Sequence, residues 1–286
     1  MKKITNLALA KTIGIYLNLL SYFFPKLSIQ KAYFLFSKPR RGKLNNSNLP
    51  EILKNAQSEI LIVKSEIIQT YCWKGDDKVI LLAHGWESNS SRWERLIPEL
   101  KKTGHTIIAL DAPAHGLSSE LIFSVPKYAE SIAVAVEKFN PEILIGHSMG
   151  GKACLYYQYL NQNKNITKMI LLGAPCDFSI IYDNYISLLG LNSTIAKGLK
   201  TLYFTHFNID IDQFSGRFFA SKITTQGLLV HDIDDTVVLF KESEKLVAQW
   251  KTATLITTKG LGHSLHNSDL NKKIIQFIAD KNRFGS

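Results

Sequence analysis

Short apolar runs alternate with longer stretches of helical periodicity through most of this chain. Ile60 to Val63 and Glu66 to Trp73 predict an antiparallel hairpin, and Lys74-Gly75-Asp76-Asp77 a turn into a third strand, Lys78 to Ala83. The pattern then alternates. A helix over Ser91 to Lys102 leads to a strand at His105 to Leu110, and a helix from Pro126 to Phe139 leads to a strand at Glu142 to Gly146. A helix over Met149 to Leu160 leads to a strand at Lys168 to Leu172. Later come a strand at Gly227 to Val230, a helix about Lys241 to Trp250, a strand at Ala253 to Thr257 and a closing helix about Leu270 to Asp280. Short apolar strands separated by amphipathic helices predict a mostly parallel sheet with both faces covered.

Two stretches break this rhythm. The interval 174–221 is too long for a plain connection, carries Phe178, Tyr182, Tyr203 and Phe204, and reads as a helical cap, with a longer crossover as the alternative. From Ile4 to Phe24 the chain is apolar apart from Thr5, Asn6, Lys11, Thr12, Asn18 and Ser21, and it stops at Pro25. On a helix, Lys11 and Asn18 fall on one narrow stripe and most of the remaining circumference is apolar. A secretory signal suits the Met1-Lys2-Lys3 start, but Lys11 interrupts the apolar region and no small-x-small site follows. A spanning helix meets the same objection. The remaining reading is a helix lying on an anionic membrane surface, beside the basic tract Lys38 to Lys43, or packed on its own domain. The expected organisation is therefore a basic, apolar helical segment over 1–43 and a body over 44–286 with the cap inside it.

Charge sharpens this picture. Of the formal net charge of +10, residues 1–50 carry +9 with no Asp or Glu, which leaves +1 for the body. A nucleic-acid-binding face is not indicated. Cys72, Cys154 and Cys176 form no disulfide framework and have no metal-ligand spacing, which favours a reducing compartment, a cytoplasmic one with the inner membrane surface as an alternative. No metal or organic cofactor is implied.

The chemistry concentrates in Gly146-His147-Ser148-Met149-Gly150, which joins a predicted strand to a predicted helix. A Ser at such a turn is held in a strained conformation with its hydroxyl raised above the sheet, and the flanking glycines let strand and helix backbones approach. The helix N-terminus faces the charge that develops in acyl transfer.

Four further motifs stand at predicted strand ends: Ala83-His84-Gly85-Trp86, Asp111 to Ser118, His231 to Val238, and Lys259-Gly260-Leu261-Gly262-His263-Ser264. Together with Gly-His-Ser-Met-Gly, their order and spacing resemble the α/β-hydrolase superfamily over roughly residues 60–283. Within it the chain looks like a bacterial serine hydrolase with a His-Gly-x oxyanion motif. The resemblance implies an α/β-hydrolase fold with a helical cap and a nucleophile, acid, histidine order along the chain, which Ser148, Asp235 and His263 follow. It places the acid four residues beyond His231, at Asp235; Asp232 stands where Gly is usual, so Asp232 and Asp234 remain candidates, with Asp177 an outsider. His263 is the histidine of the Gly-flanked loop after the last strand, and His266 is the alternative. The oxyanion donors implied are the N–H of Met149, after the nucleophile, and that of Trp86. His84, Gly85 and His147 are read as site-loop residues, and Lys152 as solvent-facing.

A carboxylic ester is the expected substrate, because its leaving group asks least of the acid step. A lipid-like acyl ester is the narrower expectation. A thioesterase, a carbon–carbon bond hydrolase and a perhydrolase are alternatives on the same fold, and a non-catalytic binding module is a third class.

Overall fold

The computed structural model describes residues 2–76 and 78–280. Met1 of the charged start, Asp77 of the predicted turn and residues 281–283 of the family resemblance lie outside the described residues. The chain opens with helices α1 (Lys2–Phe23), α2 (Pro25–Ser37) and a short α3 (Glu51–Lys54). Strands β1 (Gln57–Val63), β2 (Glu66–Trp73) and β3 (Val79–Ala83) follow, then α4 (Ile97–Lys101), β4 (Thr106–Leu110) and α5 (Val125–Phe139). Next come β5 (Ile143–His147), α6 (Met149–Asn161) and β6 (Lys168–Leu172), and after them the helices α7 (Phe178–Leu189), α8 (Ser193–Phe207) and α9 (Gly216–Ala220). The chain closes with β7 (Gln226–Asp232), α10 (Lys241–Val247), β8 (Ala253–Thr258) and α11 (Ser268–Ala279).

The chain divides into two compact units: Met1–Lys38 with Asp177–Ser215, and Pro39–Cys176 with Gly216–Ser286. This grouping differs from the sequence-based one, because the N-terminal helices share a unit with α7 and α8, while residues 39–43 go with the sheet.

The larger unit is built on one eight-stranded sheet in the order β1-β2-β4-β3-β5-β6-β7-β8. β2 runs antiparallel to both β1 and β4, and the remaining pairs are parallel. Both sheet faces are apolar. Ile80, Leu82, Ile107, Ile143, Ile145, Ile170, Leu228 and Val230 pack with Ile97, Leu100, Leu270 and Ile274, and the alternate residues Leu81, Ile108, Leu144, Leu171 and Leu229 are buried as well. Successive side chains on a strand point to opposite faces, so continuous apolar runs require both faces covered. The predicted helix over Ser91 to Lys102 is instead a 3₁₀ turn at Ser90–Arg95 followed by α4. Pro98 has no N–H for a continuous α-helical ladder, and the Asn89 side chain caps the 3₁₀ turn through Ser91 N.

The smaller unit is helical. Pro25 at the first position of α2 starts a second helix immediately after α1, and Ser28 Oγ donates to Leu17 O (2.8 Å) across the hairpin. Phe178, Tyr203, Phe36 and Tyr185 form a chain of ring contacts joining α2, α7 and α8. The α1 stripe holding Lys11 and Asn18 faces the α7–α8 junction, where Lys11 Nζ donates to Ser187 O (2.8 Å) and Asn18 Nδ2 to Gly190 O (2.8 Å). Among the described residues, no helix is long and apolar enough to cross a membrane.

Candidate active site

Ser148 stands between β5 and α6 at φ +52° and ψ −121°, a region that L-residues avoid. Close packing holds it there. A Cβ on Gly146 would lie 2.5 Å from Gly151 Cα, and one on Gly150 would collide with the carbonyls of Ala83 and His84. Strand, turn and helix therefore fit only with glycine at both positions. The Ser148 N–H donates to Leu172 O of β6 (2.8 Å), tying the turn to the neighbouring strand.

A chain of hydrogen bonds runs from this residue. Ser148 Oγ lies 3.0 Å from Nε2 of His263, and Nδ1 of His263 lies 2.7 Å from Oδ2 of Asp235. His263 stands in a single 3₁₀ turn, Gly262–Ser264, beyond β8, and Asp235 in the loop beyond β7. Burial alone would raise the Asp235 carboxyl, but hydrogen bonds from His231, His263 and the N–H groups of Val238 and Val237 outweigh it and hold it well below the usual carboxylate range. Asp235 is thus held in its ionised form near neutral pH.

The other candidate carboxylates are committed elsewhere. Asp232 Oδ2 accepts from Thr258 Oγ1 (2.7 Å) and Leu261 N (2.9 Å), and its Oδ1 accepts from Asp234 N (3.0 Å). It pins the loop after β7 to the loop that carries His263. Asp234 is exposed and accepts from Gly260 N (3.1 Å). Asp177 accepts from Ser215 Oγ (2.6 Å), and His266 is exposed.

The loop histidines have assigned tautomers because their partners are unambiguous. His84 donates from Nδ1 to Gly85 O (2.7 Å) and accepts the Ala112 N–H at Nε2 (2.9 Å). His115 donates to Pro113 O (2.9 Å) and accepts the Glu87 N–H (3.0 Å). Each ring must be neutral to accept, and burial pushes His84 down to about 4 and His115 to about 3. His147 donates from Nε2 to the backbone carbonyl of His263 (2.8 Å), so the residue before Ser148 holds the loop that carries His263. Its own affinity for a proton lies well below the ordinary value, first through burial and then through the charge of Arg92.

Gly85 lies against this group. A Cβ there would sit 2.9 Å from both Ser148 Cβ and His147 Nδ1, which brings the His84-Gly85-Trp86 loop up to the Ser148 turn. Among the described residues, no hydrogen bond within the chain occupies the backbone N–H of Trp86 or Met149. The Trp86 indole packs edge-on against His115 and Phe123.

Arg92 and Gly173 had no signal in the sequence. Arg92 Nη2 donates to Ser264 O (3.0 Å), a second hold on the loop of His263. Gly173, at φ +57°, lies beside the His263–Asp235 pair, and a Cβ there would be 3.4 Å from His263 Nδ1. His231 Nε2 lies 3.3 Å from Asp235 Oδ2; its spacing of four from Asp235 was the available clue. Lys152 is a correction: it is fully buried rather than solvent-facing, with Nζ donating to Cys176 O (2.5 Å) and lying over the Phe219 ring. Helix α6 is enclosed by its neighbours and has no solvent face at that position.

Residues 78–249 match the family described as alpha/beta hydrolase fold. Over 255 residues the chain is 25% identical to a bifunctional esterase/perhydrolase of Acinetobacter calcoaceticus, covering 71% of this chain and 92% of that protein. It is 29% identical over 115 residues to the phospholipase YtpA of Bacillus subtilis (strain 168), covering 37% of this chain and 44% of that one. Among solved structures it is similar to an esterase from Exiguobacterium antarcticum, with a TM-score of 0.62 at 17% identity, covering 78% of this chain and all of that one.

Proposed function

The chain belongs to the α/β-hydrolase fold family, and from that premise we propose that it is a serine esterase working through an acyl-enzyme. The observation that carries this reading is the continuous hydrogen-bonded path from Ser148 Oγ through His263 to Asp235. A serine hydroxyl is a weak nucleophile at neutral pH, and a neutral imidazole 3.0 Å away takes its proton as Oγ attacks the ester carbonyl. The imidazolium that forms is stabilised by ionised Asp235, which also fixes the Nδ1–H tautomer. The N–H groups of Met149 and Trp86 receive the oxyanion, each worth about 2.7–4 kcal/mol of barrier. His263 then returns the proton to the leaving alcohol, and water repeats the sequence to release the acid.

Carboxylic esters are the substrate class of this reading, narrowed to lipid-like acyl esters. The apolar N-terminal helices motivate the narrowing, and the phospholipase among the similar proteins is consistent with it. An anionic membrane is the partner proposed for residues 1–43, at the inner membrane surface. Perhydrolysis is a second reading, favoured by the similarity to the Acinetobacter bifunctional esterase/perhydrolase.

Labelling with a fluorophosphonate probe tests the core of the proposal. Wild type is expected to be labelled and Ser148→Ala not. Failure of the folded wild type to react turns the reading toward a non-catalytic module. Activity on p-nitrophenyl esters is expected to rise with acyl length, and a flat profile removes the lipid-like narrowing.

A further inference from the structure

We propose that the outward face of α1, with the corner that joins it to α2, seats this chain on an anionic lipid bilayer. The proposal rests on the reading of residues 1–43 as the membrane contact and names the surface that makes it.

Helix α1 turns Lys11, Asn18 and Ser21 toward its own unit, with Leu17 buried among them. Besides the bonds of Lys11 and Asn18, the Asn192 N–H donates to Asn18 Oδ1 (2.9 Å) and Asn192 Nδ2 to Ser21 Oγ (2.8 Å). Gly14 lies so close to α7 that an added Cβ would collide with Leu189 O. Rotating α1 to bury its apolar side would break these bonds and force that collision. The orientation is therefore determined, and it leaves Ile15, Tyr16, Leu19, Tyr22 and Phe23 outward, an i, i+4, i+7, i+8 row with one flanking residue.

The row ends at the corner Tyr22-Phe23-Phe24, where Tyr22 is 76% and Phe23 79% exposed. Scattered exposed apolar residues are ordinary, but a contiguous row of this size marks an interaction surface. No charged residue lies between Thr12 and Phe24. Beyond the corner, α2 exposes Lys26 and Lys31 beside Leu27, and Lys38 follows its end over the Phe34 ring (5.0 Å).

An apolar row ending in aromatic side chains and followed by lysines fits the boundary between acyl chains and anionic headgroups. A second copy of the chain fits less well. A twofold contact sets a patch against itself, and here that would bring lysines against lysines with no acid in residues 1–50 to offset them.

Co-sedimentation of the full chain with vesicles tests the surface. Wild type is expected to pellet with phosphatidylcholine vesicles containing phosphatidylglycerol, and more weakly with phosphatidylcholine alone. The triple variant Tyr22→Ser, Phe23→Ser, Phe24→Ser should bind at least roughly tenfold more weakly to both. Lys26→Gln with Lys31→Gln should lose about fivefold per lysine on the anionic vesicles alone. Fluorophosphonate labelling of Ser148 reports whether the serine variant is folded and keeps the hydrolase reading separate. A Phe23→Trp variant gives a second measure, since its emission should shift to the blue on anionic vesicles. Wild type that pellets with neither vesicle overturns the membrane reading of residues 1–43 altogether. Wild type that pellets while the serine variant pellets equally, or an unshifted Phe23→Trp emission, overturns this surface alone. A dimer that the serine variant converts to monomer assigns the face to a second copy.

Discussion

The Ser148 turn and α1 both place residues where local preference would not. Ser148 adopts a backbone conformation costing about 1–3 kcal/mol, and α1 turns aromatic side chains to solvent. The two are held differently. Around Ser148 the glycines, the Leu172 carbonyl and the rings of His147 and His263 pack so closely that the strained residue is only 7% exposed. On α1 the hydrogen bonds hold only the inner stripe, and each residue of the outward row is more than half exposed. An enclosed violation positions an atom for chemistry. An open one points to an environment supplied from outside the chain.

The largest expected effects lie at the enclosed region. His263→Ala is expected to lower kcat by about 10⁶-fold. Asp235→Asn should lower it by about 10⁴-fold, because the wrong tautomer of His263 is then favoured. Asp232→Asn should cost about 1–3 kcal/mol of stability, with kcat per folded molecule within about tenfold of wild type. Kinetics on esters with denaturant titrations of the three variants check this, and equal losses for Asp232 and Asp235 would undo the distinction between them.

Acid should act on the same enclosed region. His84, His115 and His147 are neutral in the fold, whereas in the unfolded chain each takes a proton near pH 6.5. Below that point the unfolded chain binds more protons, so this contribution to stability is complete above pH 6.5 and falls as pH drops. The slope approaches about 4 kcal/mol per pH unit when all three contribute. The window closes at about 4 for His84 and about 3 for His115. Denaturant midpoints at pH 7, 6 and 5 measure it, and a stability unchanged across that range would contradict the neutral, buried assignment.

Smaller effects separate the two regions further. Gly150→Ala is expected to cost about 3 kcal/mol or more, since its methyl would meet the backbone carbonyl oxygens of Ala83 and His84 at 2.2 and 2.4 Å, and to lower activity by shifting Ser148. Leu19→Ser on the outward row should change thermal stability by no more than about 0.5 kcal/mol. A loss comparable to that of Gly150→Ala would mean that the row is packed against the chain and is not an open surface.

Much of the sheet was legible because a strand buried on both faces must be continuously apolar, as Val79–Ala83 and Lys168–Leu172 are after their first residue. The glycine spacing around Ser148 was legible for a similar reason, as close backbone approach admits no other residue. Lys152 was misread because helical periodicity reports amphipathicity, and α6 is enclosed by its neighbours. Arg92 and Gly173 carry no local signal at all. The N-terminal helix was legible as a helix with a polar stripe, but not in its direction, because the same wheel fits either face inward.

The sequence by itself determined the alternation of strands and helices, the strained turn at Ser148 and the set of carboxylates and imidazoles available near it. These follow from short-range sterics and from the burial that each element needs. Only the tertiary structure decided that Asp235, and not Asp232, meets His263. It also decided that Lys152 lies inside and that the polar stripe of α1 turns inward. Each of these depends on which hydrogen-bond partners distant segments bring within 3 Å, and that distance is set by packing rather than by position along the chain.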